Sequence, residues 1–171
     1  SDHTENLWPI YGHQWAVHFL QQAVATAGKN GTENASTLRH AYLLTGPRHI
    51  GKTTLGRIFA QSLLCEEQEN SPCGQCRACR LVAHGNHPDF RLLQPLDKNG
   101  QVDRIDGMLR VEQATDLIRE VTLRPLEGRY RFFLIQDAHT ANDSFANKVL
   151  KTLEEPPDHV ILCLTAEDRS L

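Results

Sequence analysis

Short apolar runs are spaced along this chain, and between them apolar residues recur at helical intervals. Ala41 to Thr45, Phe90 to Gln94, Arg131 to Gln136 and Val160 to Leu164 are brief and nearly uniformly apolar, the pattern of strands covered on both faces. Helical spacing is found from His13 to Ala27 (Val17, Leu20, Val24) and from Thr53 to Leu64 (Leu55, Ile58, Phe59 and Leu63 inward). It returns from about Glu112 to Val121 and after Asn142 or Asp143, in a helix carrying Phe145, Val149, Leu150 and Leu153. Asn142 or Asp143 suits a helix cap, and Pro156-Pro157 stops that helix. The polar stretches Gly28 to Thr37 and Asp97 to Gly107 read as loops. Strands alternating with helices imply an α/β fold: a parallel sheet with helices on both faces, joined by right-handed crossovers.

Composition narrows the class without naming a function. A length of 171 residues with 40% hydrophobic content suits one domain with one real core. No run of about 18 apolar residues suggests a membrane span, and Ser1 to Asn6 has neither the basic cluster nor the apolar run of a signal peptide. The expectation is a soluble, cytoplasmic protein. With 21 acidic against 18 basic residues, bulk charge offers no argument for direct binding to a nucleic-acid backbone.

One segment carries a phosphate-binding pattern. Gly46-Pro47-Arg48-His49-Ile50-Gly51-Lys52-Thr53 fits G-x-x-x-x-G-K-[ST], and it lies between an expected strand and an expected helix, the context the motif requires. Glycines let the backbone N–H groups converge on phosphate oxygens. Lys52 would reach the β/γ-phosphates and Thr53 would offer a hydroxyl to Mg²⁺, while Thr54 opens a helix whose positive end faces the anion. The candidate nucleotide-binding residues are therefore Gly46, His49, Ile50, Gly51, Lys52, Thr53 and Thr54. Two other readings stay open: a chance glycine-rich turn, and a loop that keeps its shape without needing nucleotide.

Four of the five cysteines, Cys65, Cys73, Cys76 and Cys79, fall in one short segment, and two C-x-x-C steps aim pairs of thiolates at a common point. Four sulfur ligands complete a tetrahedral Zn²⁺ shell and leave no open position, so the metal would be structural. Disulfides are the other reading, and His84 and His87 stand near enough to substitute as ligands. Cys163, inside an apolar run, is expected as a small core residue.

The phosphate loop, the cysteine insert directly after its helix, and Leu150-Lys151-Thr152-Leu153-Glu154-Glu155-Pro156-Pro157 together resemble bacterial clamp-loader ATPase-like subunits of DNA polymerase III. The likeness runs from about Tyr11 to Leu171. Gly85 to Phe90, Gly128 to Arg131 and Gln136-Asp137-Ala138 are more similar to the delta prime type than to the gamma/tau motor type. The resemblance implies a P-loop NTPase (AAA+) three-layer fold over residues 1–171 with a zinc module inserted at about 65–84. It also implies a place beside gamma/tau and delta subunits in a pentameric ring. That ring acts on the sliding clamp and, as an assembly, on primer-template DNA.

Two departures bear on catalysis. An active member ends the strand in Asp-Glu, for metal and for water, whereas this chain has Gln136-Asp137 there. A neutral amide lacks the charge a hard Mg²⁺ prefers, and Asp137 is one methylene shorter than the glutamate it would replace. Hydrolysis by this chain is expected to be weak or absent, with ATP and Mg²⁺ still bound. The chain also stops at Leu171, before the family's arginine finger, lid and collar. Asp137, and Thr165 near the family's sensor position, are the catalytic candidates; an active gamma/tau-type ATPase is the alternative. A zinc-dependent nucleic-acid module is disfavoured, because neither net charge nor aromatic interleaving around the cysteines supports it.

Overall fold

The computed structural model describes residues 40–46, 51–67 and 69–167. In chain order the elements are β1 (Ala41–Gly46), α1 (Lys52–Leu64), α2 (Arg77–His84), β2 (Phe90–Leu93), α3 (Val111–Glu120), β3 (Arg131–Ile135), a 3₁₀ turn (Ala138–Thr140), α4 (Asp143–Glu154) and β4 (Val160–Glu167). The four strands form one parallel sheet in the order β1-β4-β3-β2. The expected helix from His13 to Ala27 and the loop after it lie outside the described residues, as do Pro47 to Ile50.

Side chains of the central strands β3 and β4 alternate between two cores, which is why their apolar runs are nearly continuous, whereas β1 at the sheet edge leaves Leu43 62% exposed. Phe132, Leu134, Ile161 and Cys163 pack with Leu55, Ile58 and Phe59 of α1 on one face. Phe133, Ile135, Val160 and Leu162 pack with Leu117 of α3 and with Phe145 and Val149 of α4 on the other. Every residue of β3 is buried, so both layers depend on it. Phe59 meets Tyr42 and Phe132 edge-on at 5.0 and 5.4 Å, a geometry that adds specificity to its burial.

The structure refines several of these elements. Leu150 is 50% exposed, because it follows Val149 by about 100° around α4 and so leaves the Phe145–Val149 face. Leu63 is only partly buried, Leu64 and Ala60 taking the inner positions. The cysteine segment contains α2, entered at Cys76 and left through Gly85 in the left-handed region. Asn142 is the cap of α4, its side-chain oxygen accepting from Phe145 N at 2.8 Å. β4 runs on to Glu167, which places Thr165 within the strand instead of at its end.

Candidate nucleotide and metal sites

Parallel strands β1, β3 and β4 all end on the side where α1 begins, which gathers the candidate residues at one edge of the sheet. Gly51 enters α1 at φ 77°, a conformation that strains any residue with a side chain, and an added Cβ there would meet nothing within 4 Å. Lys52 Nζ donates to Gly46 O at 2.7 Å and so spans the two described ends of the loop. Thr53 lies half-buried in the first turn, and Thr54 beside it is exposed. The helix begins at Lys52, one residue earlier than its apolar pattern indicated. His49 and Ile50 lie outside the described residues.

The two residues that follow β3 turn to different partners. Gln136 is 3% exposed; its Nε2 donates to Thr53 Oγ1 at 2.7 Å, and its Oε1 accepts from Gln94 Nε2 at 2.8 Å. The amide thus stands against the one hydroxyl expected to meet Mg²⁺. Asp137 has left-handed backbone, φ 58°, and is 8% exposed. Its carboxylate accepts from Arg104 Nε at 2.9 Å and from Arg104 Nη2 at 3.1 Å. Its N–H donates to the buried Thr165 hydroxyl at 3.1 Å. Among the described residues, the side chain that meets the Thr53 hydroxyl is the neutral Gln136 amide, which presents its Nε2 donor and not a carboxylate.

Arg104, Gln94 and Gln113 escaped the sequence reading. Arg104 sits in the stretch read as a plain polar loop, which is a built structure: Leu96 bridges Val102 and Met108, and Asp97 and Asp103 each accept two nearby backbone N–H groups. The D-x-N-G run Asp97 to Gly100 was a turn signal for part of it. Nothing local marked the reach of Arg104 to Asp137. Gln113 Nε2 donates to Gln94 O at 2.9 Å and its Oε1 accepts from Arg110 N at 2.8 Å, tying the start of α3 to the end of β2.

The four clustered cysteines converge as a ligand set. All four Sγ atoms lie within 4.8 Å of one another, with Cys65 and Cys76 at 3.9 Å; a tetrahedron of sulfurs at about 2.3 Å from zinc has edges of about 3.8 Å. Backbone N–H groups of Glu67 and Cys73 point at Cys65 Sγ, those of Gln75 and Cys76 at Cys73 Sγ, and that of Cys79 at Cys76 Sγ, at 3.2 to 3.4 Å. Such bonds suit sulfur carrying negative charge. The N–H groups of Gln75 and Cys76 draw the Cys73 thiol down to about 7, while burial pushes Cys65 and Cys79 up. All five cysteines are free thiols, and the four could hold zinc. His84 is exposed; His87 is buried with Nδ1 accepting from Asp89 N, so neither joins the set. Burial pushes Cys163 up to about 12, as an inert core thiol.

Comparison with known proteins meets this geometry. Residues 21–171 match the model of the family described as "DNA polymerase III, delta subunit". Over 149 residues the chain is 34% identical to DNA polymerase III subunit tau/gamma of Haemophilus influenzae, covering 86% of this chain and 20% of that protein. Over 132 residues it is 37% identical to subunit delta' of Pseudomonas aeruginosa, covering 77% and 38%. The chain spans between about a fifth and two fifths of the length of these relatives. Among solved structures, a gamma subunit-related protein of Thermotoga maritima shares the fold, with a TM-score of 0.56, 13% identity, and coverage of 87% of this chain and 39% of that one. Among the described residues, no helix is long and apolar enough to cross a membrane. The chain belongs to the DNA polymerase III delta-subunit family, within the gamma, tau and delta' group of clamp-loader subunits.

Proposed function

We propose that this chain is the nucleotide-binding part of a delta prime-type clamp-loader subunit, one that binds ATP at its phosphate loop and turns it over weakly or not at all. One observation carries the reading: the Gln136 amide is bonded to the Thr53 hydroxyl, where a metal-supporting carboxylate would stand in a motor subunit. Arg104 neutralises Asp137, the remaining carboxylate at that strand end, so it is poorly placed to polarise a water. The phosphate loop itself keeps its lysine, its hydroxyl and its helix N-terminus. In this reading residues 1–171 form the AAA+ domain with the module at about 65–84 inserted. Cys65, Cys73, Cys76 and Cys79 hold a structural Zn²⁺. The partners are gamma/tau and delta subunits in the cytoplasm, with the sliding clamp and primer-template DNA engaged through the assembly.

Calorimetry with a non-hydrolysable ATP analogue, paired with a phosphate-release assay, tests this. Expected are binding that Lys52→Ala weakens and no turnover above background. Steady hydrolysis abolished by Lys52→Ala would transfer the chain to the second reading, an active gamma/tau-type ATPase. That alternative is supported by the 34% identity to the tau/gamma protein and by the complete loop pattern.

A further inference from the structure

The hydrogen bonds running from Thr53 to the end of β2 have a direction. Gln94 Nε2 donates to Gln136 Oε1, and Gln136 Nε2 donates to Thr53 Oγ1. A primary amide has one accepting and one donating end, so each member fixes the orientation of the next. The Thr53 hydroxyl has one proton and two lone pairs, and Gln136 occupies a lone pair.

A cation bound to Thr53 Oγ1 would take a lone pair and repel the Nε2 protons, leaving the hydroxyl proton as the group to face Gln136. The response that keeps a hydrogen bond is reversal of the Gln136 amide, bringing Oε1 toward Thr53. That turns Nε2 against Gln94 Nε2, two donors facing each other around a residue only 3% exposed. Gln94 must then reverse as well. Its backbone carbonyl is held by Gln113 Nε2, so the side chain turns while the main chain stays in place. We propose that Gln94 is a positioning residue of the phosphate site, acting through Gln136, and that the two amides reverse together when Mg²⁺ joins a nucleotide at Thr53. The proposal rests on the nucleotide-binding reading above.

Side-chain amide NMR of the ¹⁵N-labelled chain tests it, with Gln94→Leu and Gln136→Leu assigning the two resonances. A non-hydrolysable ATP analogue is added with EDTA, then with saturating Mg²⁺. Both resonances are expected to move at the Mg²⁺ step, and the Gln94 shift is expected to vanish in Gln136→Leu. Gln94→Leu removes the bond that biases Gln136 toward donating, so it should raise the Mg²⁺ enhancement of analogue affinity by about fivefold, the scale of one ordinary hydrogen bond. A stationary Gln94 resonance at saturating Mg²⁺, or a Gln94 shift that survives in Gln136→Leu, overturns the proposal and leaves nucleotide binding intact. An analogue that fails to bind under either condition strikes the nucleotide reading itself, and this proposal with it.

Discussion

Replacing Gln136 by Asp exchanges a neutral donor for a carboxylate at the position that faces the Thr53 hydroxyl. The shorter side chain ends about 1.5 Å earlier, which lengthens the approach to Thr53 Oγ1 from its present 2.7 Å. The resulting gap of roughly 4 Å admits a Mg²⁺ ion with ligands at about 2.1 Å, bound directly or through its own water. Carboxylates outside the first ligand shell change metal affinity by about 10- to 100-fold. The lower figure applies here, because Asp137 stays paired with Arg104 and adds no second charge. The Mg²⁺ enhancement of nucleotide affinity should therefore rise about tenfold, or about 1.4 kcal/mol. Against this, Gln94 Nε2 loses its acceptor, at a stability cost of about 1 kcal/mol. Calorimetric titration of a non-hydrolysable ATP analogue, with Mg²⁺ and with EDTA, reads the effect, and Lys52→Ala serves as the control that weakens both titrations. Hydrolysis should not return, since Arg104 still holds Asp137. A wild type that already depends strongly on Mg²⁺, with no increase in Gln136→Asp, would refute the reasoning and favour a motor.

Elemental analysis should find about one zinc per chain, lost in Cys73→Ser and retained in Cys163→Ser; chelation should lower the melting temperature, and unchanged melting after complete metal loss would remove the structural role. Asp89→Asn should cost about 2–4 kcal/mol in urea unfolding, because the buried carboxylate accepts from the backbone N–H groups of Leu126, Glu127 and Gly128. Burial alone would raise the Asp89 carboxyl, but those three donors hold it below its ordinary 3.8. Its contribution is therefore complete above that pH and lost as pH falls through the folded value, so the gap between wild type and Asp89→Asn should close in acid; a gap independent of pH would refute the assignment. Thr165→Val should cost about 1–3 kcal/mol in thermal unfolding, because it leaves the buried Asp137 N–H without its acceptor.

The sheet was legible because its strands are short apolar runs alternating with helical spacing, and Phe132 and Phe133 point into different cores as alternation demands. The cysteine set was legible because its C-x-x-C spacing is local chemistry. Bonds between residues distant in sequence were not. Arg104 meets Asp137 across 33 positions, and Gln94 meets Gln136 across 42; no periodicity encodes either. The strand ends show why. The apolar runs suggested strands through Gln94 and Gln136, yet β2 and β3 close at Leu93 and Ile135, and the glutamines just beyond are the residues that bond to each other. Polar residues at the ends of buried strands have no water to satisfy them, so their partners must come from whatever the sheet order brings alongside.

The proposed separation of nucleotide binding from turnover has a physical basis in the charge around the phosphate loop. The Lys52 ammonium and the N-terminus of α1 both present positive potential to an anion. Of the residues at the end of β3, Gln136 is neutral and the carboxylate of Asp137 is matched by Arg104. In the proposed reading such a set would attract phosphate oxygens while supplying little negative charge to retain a divalent cation, so the metal would be held mainly by the nucleotide that brings it. A motor subunit has the opposite requirement, since its transition state needs a fixed metal and an unpaired base beside the attacking water. Freeing Asp137 alone would not supply the metal, and restoring a carboxylate at position 136 alone would not supply the base. In the proposed reading the two features therefore act together, and nucleotide binding and turnover would be separable in this chain.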